Sequence, residues 1–501
     1  MVLGTSSHVG KSLLVTALCR IFARRGVRVA PFKSQNMSLN SSATVEGLEI
    51  GRAQALQAEA AGVVATVDMN PILLKPSGDM TSQVVVRGKI WGTLSAADYH
   101  LRRVEELMPV VRASYEALAA EYEVVILEGA GSPAEINLKE HDIVNMRMAE
   151  MADARCLLVG DIDRGGVFAA LLGTVELLEP DERERIAGFA INKFRGDVGL
   201  LEPGVRMIEE RLGKPCLGVV PYLHGLALEE EDSLGLPAVD DGAWVLDTSA
   251  ERPLRIAVVA FASFSNFTDF DALRAESSVS LRFCRSVEQM IGADVIVLPG
   301  SKQTVDDLLW LRECGMASFL VKHGRLVIGI CGGMQMLGVE IADPMGMERA
   351  GAVEGLGLLP IRTLMRERKV TRLAVGEMAA PSLFGQSLEE TSVSGYEIHI
   401  GETTYLDGAR PFALIALEDA EHWDGCVSED GRVFGTYLHG VFDGDGFRHA
   451  FLAAARAYHG LAPAHGFAGW KAMREASLER LADEVEGALD MGALFAWAGV
   501  A

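Results

Sequence analysis

Gly4-Thr5-Ser6-Ser7-His8-Val9-Gly10-Lys11-Ser12 follows a short apolar run and precedes Leu13, Leu14, Ala17, Leu18, Ile21 and Phe22, a helical stripe ending at Gly26. A glycine-bearing turn between a strand and a helix gathers free amide N–H groups and the positive end of the helix dipole, which favours phosphate. Lys11 can reach a β- or γ-phosphate, and the Ser12 hydroxyl can ligate magnesium. Gly10, Lys11 and Ser12 are therefore the expected ATP-binding residues. Thr5 stands where such a loop usually has its first glycine, so a plain glycine-rich turn is the competing reading of this motif alone. The preceding run, residues 1–3, is short for a strand, which is compatible with a start upstream of Met1.

Outward from the loop, apolar runs at 27–32, 123–127, 155–160, 186–192 and 216–220 alternate with amphipathic segments. Runs buried on both faces and separated by helices imply a parallel, doubly wound sheet. Several polar residues end these runs, where an open α/β sheet places its ligand groups. Lys33 could face a γ-phosphate or be an ordinary surface lysine. Glu128, followed by Gly129-Ala130-Gly131, is an oxygen donor of the kind magnesium takes, or a solvated strand-end acid. Asp161 ends the next run, and Asn192 the one after, where its amide could read a purine edge.

From 221 to 253 the pattern dissolves into Gly, Pro and acids, and Glu229-Glu230-Glu231-Asp232 reads as a solvated loop. A second α/β series follows at 254–261, 294–298, 325–330, 396–400, 412–417 and 432–437, and beyond about 445 the chain reads as mostly helical. Within it, Leu326-Val327-Ile328-Gly329-Ile330-Cys331-Gly332-Gly333-Met334-Gln335 is a strand, a tight G-x-C-x-G turn and a helix start. Flanking glycines permit the turn and expose the side chain, and a helix N-terminus favours a thiolate. His439, after a later strand, is the expected base for Cys331. Backbone N–H groups at Gly300, Ser301 and Gly332 are the candidate oxyanion hole. His399 is read equally well as packed, substrate-lining or catalytic, and Cys19 as core.

The chain's 501 residues make two to four domains the expectation. Its net charge of −23 would repel a polyanion, so nucleic acid is a poor first partner. No apolar run approaches the roughly 18 residues a bilayer requires, and no export signal is visible, so no membrane and a cytoplasmic location are expected. Seven cysteines without CxxC spacing argue against a disulfide framework or a zinc site.

The second series resembles a class I, triad-type glutamine amidotransferase, and the first resembles the P-loop fold of dethiobiotin synthetase and its relatives. In this order they resemble the cobyric acid synthase family, the glutamine-hydrolysing ligases of cobalamin biosynthesis. The likeness runs over nearly the whole chain. Besides residues 4–12, it is carried by Ser34-Gln35-Asn36-Met37-Ser38-Leu39-Asn40, Glu49-Ile50-Gly51-Arg52-Ala53-Gln54-Ala55, Asn70-Pro71-Ile72-Leu73-Leu74-Lys75-Pro76, Val220-Pro221-Tyr222-Leu223 and residues 394–401.

The resemblance implies two doubly wound α/β domains, P-loop NTPase-like and class I glutaminase-like, with a helical C-terminal tail. The expected bounds are 1–225, a linker at 226–252, 253–445 and 446–501. It also implies ATP and Mg²⁺, L-glutamine and a corrinoid as small-molecule partners, and amidation of the b, d, e and g carboxylates of adenosylcobyrinic acid a,c-diamide. A homo-oligomer is compatible with it. Asp142 would face the corrinoid carboxylate or be a helix-start acid, and Asp161 is a second substrate-side candidate. Many triad amidotransferases place a glutamate two residues after the histidine, where this chain has Val441. The third, orienting group is thus open, with Glu397 and Asp443 as candidates.

The sister family, cobyrinic acid a,c-diamide synthase, shares both parts, but residues 35–40 and the chain length favour the first assignment. Partitioning ATPases, the non-enzyme alternative, carry a lysine five residues before Lys11, where this chain has Ser6.

Overall fold

The apolar runs of the first half become β1 (Val2–Gly4), β2 (Val29–Phe32), β3 (Val124–Leu127), β4 (Cys156–Asp161), β5 (Ile186–Phe194) and β6 (Cys216–Pro221) in the computed structural model. The structure describes residues 1–77, 80–229, 244, 247–323, 325–388, 391–417 and 420–500. β2 pairs with β3, and β1, β4, β5 and β6 pair in series, all parallel. A parallel bridge between Val2 and Glu128 joins the two groups into the order β2-β3-β1-β4-β5-β6. β1 leads through α1 (Lys11–Arg24) outward to β2, whereas β3 leads the other way to β4. Their loops part at the carboxyl ends of neighbouring strands, the crevice where such sheets bind ligands.

Between β2 and β3 the chain adds a small sheet absent from the sequence reading. Gln35–Met37 pairs with Ile72–Ser77, which continues antiparallel through Thr81–Val86 and Lys89–Ser95. These strands interleave buried apolar residues such as Ile72, Leu74 and Val84 with buried polar ones such as Gln35, Asn36 and Lys75, so hydrophobic periodicity does not reveal them. Lys75 Nζ, for example, donates to Glu49 Oε1 at 2.7 Å and Ser41 Oγ at 2.9 Å in the interior.

The second α/β series contributes β7 (Leu254–Val259), β8 (Val279–Cys284), β9 (Val295–Leu298), α2 (Thr304–Glu313), β10 (Leu326–Ile330) and α3 (Gly332–Leu337). β11 (Ile361–Met378), β12 (Ser392–Tyr405), β13 (Cys426–Val427), β14 (Val433–Thr436) and β15 (Leu438–His439) follow. One sheet runs β8-β7-β9-β10-β14-β13, parallel except at β13. The run expected at 396–400 lies inside β12, which is antiparallel to β11 and β15 in a second, mixed sheet.

The chain divides into two compact units, Met1–Thr44 with Leu48–Asp232 and Arg474–Ala501, and Val45–Gly47 with Ser233–Met473. The helical stretch read as one extension over 446–501 is shared between them. α4 (Asp445–Tyr458) packs into the second unit's core through Phe447, Phe451 and Leu452. α5 (Trp470–Ala488) and α6 (Met491–Ala498) place Leu478, Leu481, Val485, Met491 and Leu494 in one core cluster with Leu14, Val15, Leu18 and Phe22 of α1. Arg24 and Arg25 add ion pairs to Asp483 (2.6 Å) and Glu486 (2.8 Å). Exposed pairs of this kind contribute at most about 1 kcal/mol each, against about 1.5–3 kcal/mol for each fully buried aliphatic side chain, so apolar burial holds the tail.

Most of the linker expected at 226–252 lies outside the described residues, as do Glu230, Glu231 and Asp232. Glu229 departs from the solvated-loop reading. It is buried, and its Oε1 accepts from Arg52 and from Arg474, each at 2.8 Å. Burial opposes its charge, but the two guanidiniums hold its carboxyl below the usual range. Among the described residues, no helix is long and apolar enough to cross a membrane.

Candidate active sites

Gly10 adopts φ +94°, and a Cβ there would lie 2.3 Å from Asn192 Nδ2, so the turn into α1 needs glycine on both counts. Lys11 Nζ folds back over the loop to the carbonyls of Ser6 (3.0 Å) and Gly131 (3.2 Å). The Ser12 hydroxyl donates to Glu128 Oε1 at 2.8 Å, and Lys33 Nζ donates to the same oxygen at 2.8 Å. Gln57 Nε2 donates to Glu128 Oε2 at 2.7 Å. Three side chains from separate parts of the chain thus converge on one buried carboxylate, bringing Ser12, Lys33 and Glu128 together. Gln57 was missed, because one glutamine within a helix carries no motif. The hydroxyl and carboxylate oxygens of Ser12 and Glu128 are hard donors that fit magnesium.

Asn192 Nδ2 donates to Val9 O at 2.7 Å, tying the end of β5 to the loop. Asp161 accepts from Lys193 Nζ (3.0 Å) and from the Asp163 amide (2.8 Å). Asp142 accepts from the amides of Val144 (2.9 Å), Asn145 (3.0 Å) and Arg147 (3.2 Å), the helix-start arrangement ahead of Met146–Met151. A cavity of about 290 Å³ opens beside Gly10, Ser12 and Asn192, walled by Tyr222 and Leu223 and backed by Leu481 and Val485 of α5.

In the second unit Cys331 joins β10 to α3 at φ +50°, ψ −109°, a conformation that a non-glycine residue keeps only where its surroundings enforce it. Its amide donates to Thr436 O at 2.8 Å. At Gly333 a Cβ would come within 1.9 Å of Leu298 O, which accounts for the glycines after the cysteine. The Cys331 thiol, whose Sγ donates to Ile398 O at 3.7 Å, lies within electrostatic reach of the His439 imidazole. His439 Nδ1 donates to Asp269 Oδ2 at 2.7 Å, and Asp269 Oδ1 accepts from the Gly440 amide at 2.8 Å. Burial would lower the His439 pKa, but Asp269 and Cys331 outweigh it and raise the value to about 10.

The orienting position is therefore occupied by Asp269, in the short 3₁₀ turn Phe267–Phe270, and neither candidate from the sequence takes it. Glu397 is bound to Arg372 and to His422 Nε2 (3.1 Å), which hold its pKa at about 2 despite burial. Asp443 lies behind the following turn, where a Cβ on Gly440 would sit 3.2 Å from its Oδ2. No local signal marks Asp269, since it precedes both catalytic candidates and lies 170 residues from His439.

Gly300 abuts the histidine, and Gly332 abuts the Ser301 amide. Built Cβ atoms at these two positions would lie 2.9 Å from His439 Cε1 and 3.1 Å from Ser301 N respectively. The carboxylate of Asp307 accepts from the hydroxyls of Ser263 (2.5 Å) and Ser301 (2.6 Å), holding that turn in place. His399 donates from Nδ1 to Gly401 O (2.7 Å) and stacks on Tyr437 at 3.7 Å. Burial lowers its pKa to about 4, so it is a neutral lining residue. Cys19 is buried, and burial raises its thiol pKa, as a core cysteine requires.

Residues 1–235 match the CobQ/CobB/MinD/ParA nucleotide binding domain, and residues 255–447 match the CobB/CobQ-like glutamine amidotransferase domain. The chain is 48% identical to cobyric acid synthase of Moorella thermoacetica, over all of this chain and 97% of that one. It belongs to the cobyric acid synthase family. The likeness to the Sorangium cellulosum enzyme is 50% over 99% of this chain and 97% of the relative, and to that of Syntrophobacter fumaroxidans 48% over 98% and 96%. Both halves thus match in the family's order, and the cysteine and phosphate-loop geometries fall one in each matched region.

Proposed function

We propose that this chain is a glutamine-hydrolysing carbon–nitrogen ligase that amidates the b, d, e and g side-chain carboxylates of adenosylcobyrinic acid a,c-diamide to give adenosylcobyric acid. The observation that carries the reading is the end-to-end similarity to cobyric acid synthases. ATP, glutamine and the corrinoid are the substrates, in the cytoplasm.

A carboxylate is a poor electrophile. In the first unit a substrate carboxylate oxygen attacks the γ-phosphorus of ATP, forming an acyl phosphate and releasing ADP. Lys11 and Lys33 offset charge on the transferring group, and the amides of the loop hold the phosphates. Ser12 and Glu128 would hold magnesium, which when bound neutralises phosphate charge. Glu128 must then loosen from Lys33, which frees that ammonium for the nucleotide. The cavity beside Tyr222 and Leu223 is the seat for the base, with Asn192 fixing the loop at its edge.

In the second unit the Cys331 thiolate attacks the glutamine side-chain carboxamide. A C–S bond forms, the carbonyl oxygen moves into the Gly300–Gly332 hole, and His439 protonates the departing nitrogen as the C–N bond breaks. Water then hydrolyses the γ-glutamyl thioester to glutamate. Ammonia displaces phosphate from the acyl phosphate to give the amide.

Asp269 holds the imidazole tautomer and keeps it protonated. Its folded pKa lies above the ordinary histidine value, so the stability it contributes is full below about 6.5 and is lost as pH rises through about 10. Asp269→Asn removes the charge that raises His439. The alkaline limb of the glutaminase pH–rate profile is expected to move to lower pH, with kcat falling by about 10²–10⁴-fold. An unchanged alkaline limb would show that Asp269 does not set the protonation of His439.

The decisive experiment is mass spectrometry of the products from adenosylcobyrinic acid a,c-diamide with ATP, Mg²⁺ and glutamine. Stepwise gain of up to four amides is expected. Conversion of cobyrinic acid to its a,c-diamide in place of this series would identify the sister activity.

A further inference from the structure

β9 ends at Leu298 and α2 begins at Thr304, so the turn that carries Gly300 and Ser301 bridges two regular elements. Its backbone is bound on one side to an extended segment. The Ser265 amide donates to Gly300 O at 3.0 Å and the Lys302 amide to Ser263 O at 2.9 Å, which makes Phe264 and Ser301 an antiparallel pair. In a pair bonded through its neighbours, each residue's own N–H and C=O point away from the partner. The Ser301 N–H therefore points away from Phe264. Its nitrogen adjoins Gly332, and no protein acceptor takes the proton among the described residues.

A free, preorganised amide beside the helix start of the nucleophile is what a developing oxyanion needs. A turn of glycine and serine supplies little stiffness of its own, and here the stiffness comes from Asp307. Its Oδ2 accepts from the Ser301 hydroxyl at 2.6 Å and from the Ser263 hydroxyl at 2.5 Å, so one oxygen joins the turn to the segment paired with it. Ser301 Oγ accepts in turn from the Gln303 amide at 3.0 Å. Asp307 is buried in the first turn of α2, and Val305, Leu308 and Leu311 of that helix sit in the core, so the carboxylate is a fixed post.

The same segment runs on to Asp269, the partner of His439. Between them Asn266 turns the chain into the 3₁₀ helix at φ +54°, which separates the clamp from the orienting acid. We propose that Asp307 is a positioning residue of the glutaminase: by clamping Ser263 to Ser301 it directs the Ser301 N–H at the oxyanion, and it leaves the protonation of His439 to Asp269. The inference rests on the proposed glutaminase activity and adds a residue that acts on its transition state through another.

The test compares Asp307→Ala, Asp307→Asn and Ser263→Ala with wild type in the full-length chain. Asp307→Ala should lower kcat for glutamine hydrolysis about 10- to 100-fold with KM for glutamine little changed, because the amide is misdirected and not removed. Asp307→Asn keeps a carbonyl oxygen that can accept from both hydroxyls and should recover most of that rate. Ser263→Ala, at a half-buried position, leaves Asp307 on Ser301. It should show a smaller fall of the same kind, about 2- to 10-fold, and it reads the clamp even where Asp307→Ala does not fold. Two further measurements separate positioning from general loosening. Iodoacetamide alkylates a thiolate by displacing iodide and forms no oxyanion, so modification of the Cys331 peptide, followed by mass spectrometry, should run at the wild-type rate. The alkaline limb of the pH–rate profile should stay in place. Wild-type kcat in both alanine variants, or a fall in kcat matched by slower alkylation or a moved alkaline limb, would overturn the inference and leave the glutaminase reading standing. Equal losses in Asp307→Asn and Asp307→Ala would do the same. A wild-type chain that hydrolyses no glutamine would overturn both.

Discussion

Cys331→Ser should abolish glutamine-dependent amidation while amidation from added ammonia survives. The thiol sits at a strained turn, φ +50°, within electrostatic reach of His439. A serine hydroxyl in that place is not ionised by a neighbouring histidine as a thiol is, so the nucleophile is lost although its geometry is kept. Removing a nucleophile that acts as one unit with its base costs as much as removing the whole constellation, so the glutamine-dependent rate should fall by about 10³-fold or more. The ammonia-dependent rate, which needs only the nucleotide site, should change little. The measurement is product formation with glutamine and with ammonium chloride in parallel. Equal loss from both sources would mean that nitrogen release and nitrogen use are not separate functions of this chain.

Lys11→Ala should remove amidation with either nitrogen source. Its ammonium, bound to Ser6 O and Gly131 O, is poised over the loop at the N-terminus of α1, where charge develops as the phosphoryl group moves. Losing a preorganised cation of this kind costs about 10²–10³-fold in rate. Glutamine hydrolysis should remain measurable, since Cys331, His439 and Asp269 all belong to the other unit. Amidation at the wild-type rate from ammonia in this variant would refute the phosphate-loop reading. The pair of variants therefore dissects the chain in opposite directions, one sparing ammonia use and the other sparing glutamine hydrolysis.

The parallel strands were legible because a strand covered by helices on both faces is largely apolar, and β1 to β6 follow that rule apart from the polar residues toward the carboxyl ends of β4 and β5. The small sheet around Lys75 and Glu49 was not, since its polar residues are satisfied by partners far along the chain. Glu229 shows the same effect in one residue. It reads as part of a solvated acidic run, yet lies buried because Arg52 and Arg474 reach it from 177 and 245 residues away.

By itself, the sequence determined those features whose chemistry is local: a phosphate loop opening a helix, a cysteine between glycines on a strand-to-helix turn, and polar groups at strand ends. Only the tertiary structure decided which distant groups complete them: Asp269 on His439, Gln57 on Glu128, and the C-terminal helix behind the nucleotide loop. The reason is that a turn or a helix start is specified by neighbours along the chain, through backbone dihedrals and amide direction. A buried hydrogen bond is specified by proximity in space, and many sequence separations can satisfy it equally well.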